Sequence, residues 1–282
     1  MSAVTVQGLR KAYGALEAVR GIDFTIESGE VFGLLGPNGA GKTTTVEILE
    51  GYRKRDGGTV EVLGTDPQKA SSAWREQIGV MLQSSSLYPN LTVRESLRTF
   101  AGYYSQPRDP EEVVELVGLA EKSDVRVRKL SGGQQRRLDL GIALIGDPQL
   151  IFLDEPTTGF DPGARRTAWE TIRGLRALGK TVLLTTHYLD EAEQLADRVA
   201  VLRDGLIVRE GRPSDLTGGA VETEISYRRG GEEVAERTTS PTRRLNELTA
   251  EALARGEELE RLEVRRPTLE DVYLTLTGDD AE

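Results

Sequence analysis

The segment Gly36-Pro37-Asn38-Gly39-Ala40-Gly41-Lys42-Thr43 has the residue types and spacing of a phosphate cradle. Its glycines let successive backbone amides turn inward toward phosphate oxygens. Lys42 has the reach for β- and γ-phosphates, Thr43 offers a hydroxyl to Mg²⁺, and Thr44 adds another hydroxyl beside it. The chemistry this allows is binding of a nucleoside triphosphate. By itself the loop says no more, because kinases, GTPases and motors share it.

A second group of candidates lies in Leu150-Ile151-Phe152-Leu153-Asp154-Glu155, where two carboxylates follow an apolar run. If the run is a buried strand, both stand at the strand end where ligands of parallel sheets collect. Asp154 can then hold Mg²⁺ through water, and Glu155 can polarise the attacking water as general base. Taken alone, an Asp-Glu pair after a strand reads equally as a solvated turn or a helix cap. His187 is the only histidine, and it follows Thr181-Val182-Leu183-Leu184-Thr185, a run expected beside the Asp154 strand. There its imidazole can donate to a γ-phosphate and orient Glu155 or the water; elsewhere it would be a surface or satisfied core histidine.

Leu130-Ser131-Gly132-Gly133-Gln134-Gln135-Arg136-Arg137 opens a helix in which Ser131 can cap while Gly132 and Gly133 leave amides bare, a second anion site. The plain alternative is a capped helix with Gln135, Arg136 and Arg137 as its solvated face. Within an inserted helical lobe this segment cannot easily reach its own phosphate loop, whereas that of a second copy of the chain can bring it there.

The elements that must position these residues are visible in the hydropathy pattern. The first thirty residues alternate, as in Ile22-Asp23-Phe24-Thr25-Ile26, and predict an antiparallel strand layer. Val31 to Leu35 is continuously apolar apart from Gly33, and it leads through the loop to a helix candidate over Lys42 to Glu50. Buried strands at 150–153 and 181–185, with a helix over Pro162 to Leu178 between them, complete an α/β pattern with a parallel core of the P-loop NTPase kind. Helical candidates at Val93 to Tyr104, Pro110 to Val117 and Gly133 to Ile145 predict a helical subdomain inserted at about 87–145. The texture changes after Pro213, so the expected division is a nucleotide-hydrolysing domain over 1–215 and a small C-terminal αβ appendage over 216–282.

Composition removes several function classes. No apolar run approaches the roughly 20 residues of a membrane span. The amino terminus lacks the layout of a secretory signal, so a cytoplasmic location is expected. Without cysteine there are no disulfides, thiolate metal sites or cysteine nucleophiles. A formal net charge of -10 opposes binding to a nucleic-acid backbone, so no nucleic-acid partner is expected.

Taken in order, Gly36 to Thr43, Gln83, Leu130 to Gln134, Leu150 to Glu155, Asp161 and His187 resemble the phosphate loop, glutamine loop, signature, acidic strand, D-loop and switch histidine of ABC transporter ATP-binding subunits. The resemblance covers about residues 3 to 215. It implies ATP and Mg²⁺ as ligands and a head-to-tail homodimer that sandwiches two ATP. Each nucleotide would be held by one subunit's phosphate loop and by Ser131 and Gly133 of the other, with Gly132, Gln134 and Asp161 also counted as nucleotide-binding. It further implies that Gln83 approaches both Mg²⁺ and the water, and that Tyr13 stacks on adenine, although a tyrosine near a strand end is often packing.

The stretch Leu87-Tyr88-Pro89-Asn90-Leu91-Thr92-Val93 resembles the family's contact with a separate transmembrane permease, expected over about 84–95; an ordinary loop entering a helix is the alternative. Such a partner would hold the chain at the cytoplasmic face of the membrane. The ending Arg266 to Gly278 resembles the tail of the daunorubicin-resistance type, a branch dominated by exporters, and implies efflux of drug-like or lipophilic compounds. Read without the resemblance, it is a short amphipathic helix capped by Thr268 with Leu269, Val272, Tyr273 and Leu276 inward. The rival reading is a non-transport ABC ATPase of repair or translation. Against it stand the absence of a coiled-coil insertion, of cysteine for zinc, of a second ATPase domain and of a basic patch.

Overall fold

The structure, a computed structural model, describes residues 1–82, 87–217, 223–229, 231–265, 268–269, 271 and 273. In chain order its strands and helices are β1 (Ser2–Tyr13), β2 (Leu16–Glu27), β3 (Val31–Leu35), α1 (Lys42–Leu49), β4 (Gly57–Val62), α2 (Ser72–Arg75), β5 (Ile78–Met81), α3 (Val93–Ala101), α4 (Pro110–Leu116), α5 (Gly132–Leu144), β6 (Leu150–Asp154), α6 (Pro162–Ala177), β7 (Thr181–Thr186), α7 (Leu189–Leu195), β8 (Arg198–Arg203) and β9 (Leu206–Gly211). There follow α8 (Pro213–Thr217), β10 (Thr223–Arg229), β11 (Glu232–Thr238), α9 (Pro241–Arg255) and β12 (Glu260–Arg265). The chain forms two compact units, Met1–Glu210 and Gly211–Glu282.

The alternation at the amino terminus produces the expected antiparallel layer, with β4 added on the far side of β1 in the order β2-β1-β4. Register puts Val4 opposite both Ile26 and Val62, and Val6 opposite Phe24 and Val60, so one face of the layer is apolar and buried. The second sheet runs β5-β6-β7-β3-β8-β9, and its first five strands are parallel. Period-two burial along these strands feeds two separate cores. Phe32, Leu34, Leu150, Phe152 and Leu183 pack toward the antiparallel layer. Val31, Ile151, Leu153, Val182 and Leu184 pack instead toward the helices, with Leu97, Val113, Leu138 and Ile172. Burial on both faces is why these strands read as continuous apolar runs rather than alternating ones.

Residues 87–145 supply α3, α4 and α5, whose apolar faces share the second core. Helix α3 ends at Ala101 rather than at the expected Tyr104, with Gly102 as its C-cap, so the glycine within that run was the stop signal. Contact between β5 and α5 is close at Gly79, where an added Cβ would stand 2.2 Å from the Ala143 carbonyl oxygen. In the second unit, β10 lies between β11 and β12. Ile225 and Tyr227 of β10 bury against Leu248 of α9. Thr268 and Asp271 cap one another there, since the Thr268 amide donates to the Asp271 carboxylate at 2.7 Å. Val272 and Leu276 of the expected amphipathic helix lie outside the described residues. Among the described residues, no helix is long and apolar enough to cross a membrane.

Candidate nucleotide site

The loop between β3 and α1 is shaped by glycines that no other residue could replace without shifting backbone. Gly41, the N-cap of α1, has φ +104, and a Cβ on it would meet the Ala18 carbonyl oxygen at 2.3 Å. Because Gly41 has no side chain, the first amides of α1 are capped by none and face the loop. Lys42 is 7% exposed, and its Nζ donates to the Gly36 and Pro37 carbonyls at 2.7 and 3.1 Å. Burial pushes its ammonium below the ordinary lysine value, while the carboxylates of Glu155 and Asp154 pull the other way. A cleft of about 260 Å³ is lined by Tyr13, Leu16, Ala18, Asn38, Gly39, Gly41, Lys42, Thr43, Thr44 and Glu155. Tyr13 is half exposed at its rim, with the Arg53 guanidinium 5.3 Å from its ring centre.

The second wall is the end of β6. Asp154 pairs with Thr185 of β7, whose hydroxyl donates to its carboxylate. Glu155 follows with φ +47, a left-handed conformation that an L-residue keeps only when its surroundings hold it. Its amide donates to the Thr185 carbonyl at 3.1 Å and stands 3.2 Å from the Thr185 hydroxyl. The Glu155 side chain is buried and turned toward the end of β7. Its Oε1 is 3.2 Å from His187 Nδ1, and its Oε2 accepts from the Thr158 hydroxyl at 3.1 Å. His187 is more open to solvent and leans on the Tyr188 ring, 4.1 Å between centres.

The structure thus brings Tyr13, the phosphate loop, Thr43, Thr44 and Glu155 around one cleft, with Asp154 and His187 beside Glu155. Ser131, Gly132, Gly133, Gln134 and Asp161 are not among the residues that line it. Ser131 caps α5 reciprocally: its hydroxyl accepts from the Gln134 amide at 3.3 Å, and its own amide donates to Gln134 Oε1 at 2.9 Å. Ser131 and Gly132 are exposed at this helix start, and a Cβ on Gly133 would touch Ala164 at 3.5 Å. The Asp161 carboxylate caps α6, accepting from the Gly163 and Ala164 amides at 2.9 Å each. Gln83 lies outside the described residues.

Two residues that the pattern did not single out belong to this region. Arg136, which only the plain alternative for this segment placed, on a solvated face, is 9% exposed and donates to the carbonyls of Leu82, Asp154 and Glu155. Its signal was its place four residues before Leu140 and seven before Ala143, on the buried side of α5. Glu50, at the C-cap of α1, lines a separate cleft of about 760 Å³ with Arg75, Ile78, Leu82, Phe100 and Tyr104. Nearby, Tyr88 is exposed and rests on Phe100, 6.3 Å between ring centres. Val93, the last residue of the stretch that resembles the permease contact, is fully buried, because α3 starts there behind the Thr92–Glu95 capping box and Val93 packs into the helical core.

Residues 19–158 match the family described as ABC transporter. The chain is 42% identical to the Nod factor export ATP-binding protein I of Rhizobium sp. (strain N33), an alignment that covers 99% of this chain and 98% of that one. It is 41% identical to the protein of the same name from Bradyrhizobium diazoefficiens, with the same coverage. Among solved structures, it resembles an ATP-binding cassette of an ABC transporter in its ADP conformation, at 26% identity and a TM-score of 0.68 over 76% of this chain and 92% of that one. It also resembles a dimeric post-hydrolysis cassette bound to ADP and Pi, at 25% identity and a TM-score of 0.67 over 74% and 98%.

Proposed function

The chain belongs to the ABC transporter family of ATP-binding subunits, and from that premise we propose that Glu155 activates water against ATP held on the Gly36–Thr43 loop, in a head-to-tail homodimer that drives a separate membrane permease. Binding and hydrolysis of ATP are the chain's own activity. The observation that carries the residue assignment is the Glu155 carboxylate, buried at the wall of the phosphate cleft and within 3.2 Å of His187.

In this reading the loop amides and Lys42 bind the β- and γ-phosphates. Glu155 accepts the proton of the attacking water, and His187 holds that carboxylate or the γ-phosphate in line. Among the described residues no cluster of three or more His, Cys, Asp or Glu could form a closed metal cage. The Thr43 hydroxyl and the Asp154 carboxylate, with phosphate oxygens and water, are the sparse donor set that suits Mg²⁺. Bound there, Mg²⁺ would offset the charge that develops on the phosphates. Gln83 and Tyr13 keep the roles that the resemblance implies, toward the metal and water and toward adenine.

Placement of Ser131 to Gln134 away from the cleft supports a shared site, with these residues and Asp161 serving the nucleotide of a second copy. Dimeric solved relatives support the same assembly. Permease docking over about 84–95, at the membrane's cytoplasmic face, is supported by the exposed Tyr88 and by the adjoining cleft at Glu50. Export is supported by relatives named for Nod factor export that match end to end, and by the exporter-like tail at 266–278. Drug-like or lipophilic compounds are the cargo class proposed. The repair or translation alternative has no observation in its favour.

The shared site is tested by mixing Lys42→Ala chains with Ser131→Arg chains. Each should be inactive alone, and the mixture should regain ATPase activity through one intact composite site. An inactive mixture in which hetero-dimers are shown to form with ATP would contradict the arrangement.

A further inference from the structure

We propose that Arg136 is a positioning residue which ties the signature helix to Glu155 of the same subunit, so that engagement of Ser131–Gly133 by a partner copy's nucleotide sets the geometry of this subunit's own hydrolytic carboxylate. The proposal rests on the reading of Glu155 as general base and of the site as shared.

Arg136 lies five residues after the cap Ser131, on a helix whose start is locked by reciprocal Ser131–Gln134 hydrogen bonds. Its Nη2 donates to the Asp154 and Glu155 carbonyls at 3.0 and 3.1 Å, and its Nη1 to the carbonyl of Leu82, the last described residue before Gln83. Nη1 also stands 4.0 Å from the Asp139 carboxylate. A buried guanidinium is expensive to desolvate, and one planar fork shared among three carbonyls is a geometry that lysine cannot reproduce.

The consequence falls on Glu155. Its left-handed backbone is gripped from two sides, by Thr185 at the amide and by Arg136 at the carbonyl. Release of either grip lets the residue relax toward ordinary φ, which swings its carboxylate away from His187 and from the cleft. Helix α5 is continuous from Gly132 to Leu144, and its buried side packs into the helical core through Leu138, Leu140 and Leu144, so displacement at Ser131 is carried to Arg136. One side chain therefore links the surface offered to the partner's nucleotide, the strand end that holds the carboxylates, and the chain leaving β5 at Leu82.

The test is a double-mutant cycle on the full chain, with Arg136→Met and Arg136→Lys each made in native and Glu155→Gln backgrounds and folding checked by circular dichroism. In the native background Arg136→Met should lower kcat by about 10²-fold, the scale of a misplaced catalytic group, with KM and the affinity for a fluorescent ATP analogue nearly unchanged. Arg136→Lys, which keeps the charge beside Asp139, should recover part of that loss, and it carries the cycle alone if the Met variant fails to fold. In the Glu155→Gln background the Arg136 substitution should change single-turnover hydrolysis by less than about twofold, because both residues act through one carboxylate. Equal losses in the two backgrounds, or a loss of ATP affinity with kcat unchanged, overturn the assignment of Arg136 alone. Undiminished turnover by the Glu155→Gln single variant overturns the general-base reading, and this proposal with it.

Discussion

Across a sequence separation of 32 residues, His187 Nδ1 stands 3.2 Å from Glu155 Oε1. Parallel pairing of β6 with β7, in which Asp154 faces Thr185, creates this proximity by ending both strands at the same level. In the proposed mechanism this contact aims the carboxylate, while the loop amides and Lys42 carry nucleotide binding. His187→Ala should accordingly lower kcat by about 10²-fold, the usual cost of one active-site donor, while ATP affinity measured by fluorescence titration changes little. A variant with native kcat would remove His187 from the hydrolytic machinery.

Gly41 and Gly174 should respond in opposite ways to the same substitution. Gly41→Ala forces a Cβ against the Ala18 carbonyl at a φ of +104, so it should destabilise the fold by about 1–3 kcal/mol and weaken ATP binding. Gly174 lies within α6 with nothing within 4 Å of an added Cβ, and Gly174→Ala should instead stabilise by about 0.5–1 kcal/mol. Thermal melts of the two variants with and without ATP check both signs.

Glu50 makes stability depend on pH. Burial, aided by the Asp154 and Glu47 carboxylates, raises its carboxyl from 4.5 to about 8. The folded chain thus keeps a proton that the unfolded chain surrenders between those values. The stability this confers is full below about pH 4.5 and is lost as pH rises through about 8. Glu50→Gln removes the dependence. The Tm of the variant minus that of the native protein should be small near pH 5 and grow positive toward pH 8; a difference equal at both ends would contradict the assignment.

What the sequence made legible follows from how local each determinant is. The phosphate loop, its preceding strand and its following helix are set within about twenty residues, so spacing alone located them. The α/β core was readable because strands covered on both faces leave continuous apolar runs such as Leu150 to Leu153. The role of Arg136 was not legible because a charged residue next to Gln135 and Arg137 fits a solvated face equally well, whereas its three acceptors are the carbonyls of Leu82, Asp154 and Glu155, far away in the chain. Strand β4 and the cleft at Glu50 also depend on tertiary pairing that no local pattern announces.

In the proposed mechanism Glu155 is the group that activates water. The most direct measurement is the rate of ATP hydrolysis by Glu155→Gln beside its ATP affinity and its size on gel filtration with ATP. Native-like affinity, a kcat lower by at least about 10²-fold and a dimer trapped by ATP are expected of the variant. Turnover at the native rate would contradict this mechanism.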